Sequence, residues 1–158
     1  MFTLITLILA ACGPKEPFPL SSPGQYDFGS KGGFSKTYTF IDASRNDREV
    51  DLMVWYPAKL PQDTPASDYN IDAEPDLSGA PYPLILSSAK VGSYFGAHLA
   101  SHGFVVVGIK GIDTYDPWNE NLFNQPLDIL FALDQVASHP LDGLEGMIDA
   151  EHAGVMGY

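Results

Sequence analysis

Two apolar runs limit what this chain can fold into. Residues 82–87 (YPLILS) and 104–109 (FVVVGI) lack the strict apolar–polar alternation of a strand with one face in water. Runs of this kind are expected in strands covered on both faces, as in a parallel sheet. Between them, residues 93–102 (SYFGAHLASH) read as a helix, and Gly103 follows as a left-handed stop. Strand, helix and strand over so short a span make a βαβ unit, whose crossover is expected to be right-handed.

The flanking segments extend this core in two directions. Upstream, residues 36–41 (KTYTFI) and 50–56 (VDLMVWY) are rich in β-formers and are separated by the polar run 42–48 (DASRNDR), the pattern of an antiparallel hairpin. Pro57 is expected to end the second of these strands. Residues 59–80 have neither period and read as a loop. Downstream, residues 111–124 form a second loop, and a second helix follows with Pro126 in its first turn. Leu127, Leu130, Phe131, Leu133 and Val136 supply its apolar face. Residues 142–149 turn the chain, and residues 152–158 (HAGVMGY) begin what reads as another buried strand. The expected class is therefore α/β: an antiparallel hairpin, then βαβαβ of a central sheet.

Charge and cysteine usage narrow the function. Eight Lys and Arg stand against 20 Asp and Glu, a formal charge of −12. A field of that sign repels nucleic acid and rules against a basic patch on anionic lipid. One cysteine makes no internal disulfide, and its place is informative. Residues 2–9 (FTLITLIL) are too few to span a bilayer, which takes about 20 residues, but they match the apolar region of a secretory signal. Leu9-Ala10-Ala11-Cys12 resembles a bacterial lipobox, whose diacylated thiol anchors the mature N-terminus. The alternative is an apolar first strand with a buried thiol. Residues 13–33, with Pro14, Pro17, Pro19 and Pro23, read as an extended tether. This divides the chain into signal (1–12), tether (13–33) and folded part (34–158), with an extracytoplasmic, membrane-anchored location expected.

The folded part also resembles a known family. Residues 39–58 (TFIDASRNDREVDLMVWYPA), 83–88 (PLILSS), 99–107 (LASHGFVVV), 126–128 (PLD) with 132–134 (ALD), and 154–158 (GVMGY) follow one another as in the front half of bacterial α/β-hydrolases. The resemblance is strongest to relatives of platelet-activating-factor acetylhydrolase and dienelactone hydrolase. Cutinase-type polyester hydrolases share the middle and last segments. It covers residues 36–158 and implies the N-terminal half of an α/β-hydrolase fold.

The resemblance also implies a chemistry. Gly157-Tyr158 would open the G-x-S-x-G elbow, placing the nucleophile immediately after Tyr158. The order Ser, acid, His in this fold puts the whole triad beyond that point, so His98, His102, His139 and His152 are not expected to be the base, and the chain alone is expected to be inactive. One oxyanion donor would come from the loop after the third strand. The family reads Ser-His-Gly-hydrophobic there; this chain reads Ser88-Ala89-Lys90-Val91, leaving the backbone N–H of Val91 or a close neighbour as donor. Tyr94 would line the acyl pocket or pack in the core. The implied substrate is a small ester or a phospholipid, with polyester hydrolysis or a non-catalytic surface lipoprotein as alternatives, and no cofactor. His98 and His102 share a helix face, but a metal reading lacks a third ligand in register. Asp113, Asp116 and Glu120 read as a solvated loop. Central strands without neighbours on one side are expected to make the chain prone to aggregate.

Overall fold

The computed structural model describes residues 32–60, 73–87, 93–110 and 121–157. Within them β1 (Gly32–Asp42) and β2 (Arg48–Ala58) pair antiparallel along their full length. A one-turn 3-10 helix, Ala43–Arg45, joins them. Asp42 closes that turn by accepting from the Ser44 amide (3.0 Å) and hydroxyl (2.6 Å). Asn46 and Asp47 complete it in left-handed conformations (φ 59° and 54°), which short polar side chains tolerate better than others do. The strand takes in Gly32 and Gly33, which composition assigns to the tether.

Pro57 does not end β2, which runs on to Ala58. In a strand the N–H and C=O of one residue point to the same side, and the Pro57 carbonyl accepts from Asp76 N (3.0 Å). Its missing N–H therefore faces away from β1 and costs the hairpin nothing. β4 pairs with β2 only from Leu52 to Trp55, so no β4 ladder bond is lost either.

β3 (Tyr82–Ser87), α1 (Ser93–Ser101) and β4 (Val105–Ile109) form the expected βαβ unit, with β3 and β4 parallel neighbours. Gly103 stops α1 at φ 90°. α2 (Asn121–Ser138) then leads to β5 (Ile148–Met156), parallel to β3 on its other side. The five strands lie in the order β1-β2-β4-β3-β5, with β2 alone running against the rest.

Alternation along the strands divides the core between two faces. On one, Leu52, Val54, Tyr56, Leu84, Leu86, Val105 and Val107 meet Ala132 and Val136 of α2, together with Leu141, Leu144 and Met147 from the turn before β5. On the other, Trp55 and Val106 meet Ala97 and Ala100 of α1. The indole of Trp55 occupies the space over Gly96, where any Cβ would overlap the ring.

Three expectations are corrected here. α2 begins at Asn121, so Pro126 lies inside the helix, on an exposed position, and not in its first turn. The inward stripe runs through Asp128, Ala132 and Val136, with Ile129, Phe131 and Leu133 partly covered, while Leu127 and Leu130 face out. β5 begins four residues earlier than the apolar letters suggest and is not buried: residues 151–155 are exposed, Val155 to 68%. Among the described residues it pairs only with β3, and three extra residues (150–152) break that register between Pro83↔Asp149 and Leu84↔Ala153. Asp149 holds this insertion, accepting from the amides of Glu151 (3.1 Å) and His152 (3.2 Å) and from the His152 ring (Nδ1 2.7 Å).

Candidate functional site

The chain leaves β3 toward β4 on one side, then crosses back over β3 to place β5 on the other. The strand order therefore reverses between β3 and β5. In open α/β sheets the crevice at such a switch point, outside the carboxyl ends of the strands, is where ligands bind. Ser87 pairs with Met156 as the last rung between these strands, and Gly108 of β4 lies on the opposite side of Ser87. Ser87 and Met156 thus end neighbouring parallel strands at the same end of the sheet.

The register pairs the strand ends that precede two segments the sequence singles out. Ser88, Ala89, Lys90 and Val91 come next in sequence after Ser87, and Gly157 follows Met156, exposed just beyond the strand. The structures of Ala89, Lys90, Val91 and Tyr158 lie outside the described residues, as do those of Cys12, Asp113, Asp116 and Glu120. Tyr94 falls in α1, its side chain outside the described set. No group of three or more His, Cys, Asp and Glu side chains suited to a metal occurs among the described residues.

The four histidines are apart from this crevice or confined by packing. His98 and His102 lie edge to face with ring centroids 4.7 Å apart on α1. Burial, and then the neighbouring charge of His102, hold His98 below its ordinary range. His139 is exposed at the end of α2. His152 belongs to the β5 insertion, away from the carboxyl end of that strand.

A second polar cluster braces the same end of the sheet. Asp128, 1% exposed on α2, accepts a two-point contact from Arg48 (Nε 2.9 Å, Nη2 2.7 Å) and pairs with Arg45 Nη1 (2.7 Å). Arg45 also reaches Asp42 (2.5 Å) and lies over the Phe131 ring, 5.8 Å from its centre. The Ser44 hydroxyl and then the Arg45 guanidinium hold the Asp42 carboxyl below its usual range. Because β2 opposes β4, the hairpin turn stands beyond the carboxyl end of β4, and the cluster ties it to α2. A depression of about 400 Å³, lined by Arg45, Asn46, Arg48, Glu49 and Asn124, opens there. Sequence patterning missed this brace; the available signal was a carboxylate, Asp128, in register with the apolar stripe of a helix.

No protein-family model and no curated protein matches the chain. Among solved structures it is similar to brefeldin A esterase, a bacterial homologue of human hormone sensitive lipase, with a TM-score of 0.50 at 17% identity. The fold is that of the α/β-hydrolases. The alignment takes in 89% of this chain and 34% of the esterase, so the chain spans about a third of that protein's length. A Bacteroides ovatus protein described as a dipeptidyl aminopeptidase IV follows, with a TM-score of 0.49, 14% identity, and 80% and 18% of the two chains covered. The likeness reaches the fold and not the narrower kinship with platelet-activating-factor acetylhydrolase that the sequence resembles. No helix among the described residues is long and apolar enough to cross a membrane.

Proposed function

We propose that the complete protein is a serine esterase of this fold, anchored to a bacterial membrane through Cys12. The observation that carries the reading is the Ser87↔Met156 rung at the switch point. It pairs the end of the strand that precedes the proposed oxyanion loop with the end of the strand proposed to deliver the nucleophile, at strand spacing of about 5 Å. In the proposed reaction a serine after Tyr158 attacks the ester carbonyl while a histidine takes its proton. The alkoxide leaves with that proton, and water then hydrolyses the acyl-serine by the same route. Backbone N–H groups of Val91, or a neighbour, and of the residue after the serine would hold the oxyanion. No cofactor enters. Small or phospholipid esters are the proposed substrates.

The departure of Ser88-Ala89-Lys90-Val91 from the family's Ser-His-Gly favours a second reading, a non-catalytic surface lipoprotein on the hydrolase scaffold. The two separate on the full-length protein. Changing the serine after Tyr158 to alanine is expected to lower kcat/KM on p-nitrophenyl butyrate by about 10³-fold or more. Retained activity would overturn the esterase mechanism, and Ala or Gly already at that position would favour the scaffold reading. Cys12→Ser is expected to release the protein from membranes; continued attachment would exclude the anchor.

A further inference from the structure

We draw no further inference here: the strongest candidate, the outward apolar ridge of α2 (Phe123, Leu127 and Leu130) on the helix that packs beside β5, is an unpartnered face, and nothing in the structure shows what covers it.

Discussion

β4 and β5 are both parallel neighbours of β3, yet they live in different surroundings. β4 has a strand on each side, with apolar clusters against both its faces, and all five of its residues are buried. Among the described residues, β5 has one partner strand, a three-residue insertion and a run of exposed positions. Short apolar stretches therefore acquire burial from their place in the sheet order. The β4 side is a packed platform, whereas β5 ends at exposed Gly157.

The platform should be the energetically expensive region, and the brace on Asp128 its most costly single point. Removing one partner of a buried ion pair costs about 3–5 kcal/mol, because the remaining charges are left uncompensated. Arg45 and Arg48 keep some solvent access, 17% and 29%, so Asp128→Ala is expected near the lower end, about 3 kcal/mol, in urea unfolding. A loss under about 1 kcal/mol would show that solvent already satisfies both guanidiniums.

Glycine substitutions test the contrast next. Gly96→Ala drives a methyl into the Trp55 ring, and overpacking of this kind costs about 1–3 kcal/mol. Gly154 of β5 has nothing within 4 Å of such a methyl. Gly154→Ala should be neutral or stabilising by about 0.5 kcal/mol, since glycine is a poor strand former. Equal penalties at the two sites would erase the distinction. Truncating valines gives a smaller gap. Val107→Ala in β4 should cost about 2 kcal/mol, and Val155→Ala in β5 within about 0.5 kcal/mol, both read as shifts of the urea midpoint.

Legibility in the sequence follows the same division. The span of β3 is read correctly from its letters, and those of α1 and β4 to within one residue; burial on two faces explains the unalternated letters of β4, whereas in β3 Pro83 is exposed and Ile85 half-buried. The hairpin was legible from its polar turn, but its extent was not. Whether Pro57 ends a strand depends on which neighbour its nitrogen faces, a property of pairing and not of composition. Leu127 and Leu130 carry the right letters for a core and point outward, whereas Asp128 carries the wrong letter and is buried with two arginines that lie 80 and 83 residues earlier. For the candidate site, the sequence gives an order of segments, of which the structure describes the strands that precede them. The adjacency of those two strands comes only with the reversal of strand order between β3 and β5.

The weakest effect expected is in pH dependence, and it too should differ between the two regions. His98 lies in α1, on the platform, its pKa lowered from 6.5 by burial first and by His102 second. The unfolded chain therefore binds the proton more readily, so the His98 contribution is present above about pH 6.5 and is lost as the pH falls through the lower native value. His98→Gln should flatten the dependence of the urea midpoint in that window. His102→Gln should shrink it only in part, since burial is the larger cause. On β5 the group that responds is Asp149, lowered from 3.8 first by its hydrogen bond with His152. Its contribution is present above about pH 3.8 and disappears as the pH drops through the native value, so Asp149→Asn should alter only the acid limb. An Asp149→Asn profile that changes near pH 6, or a His98→Gln profile that changes only below pH 4, would reverse the assignment of the two regions.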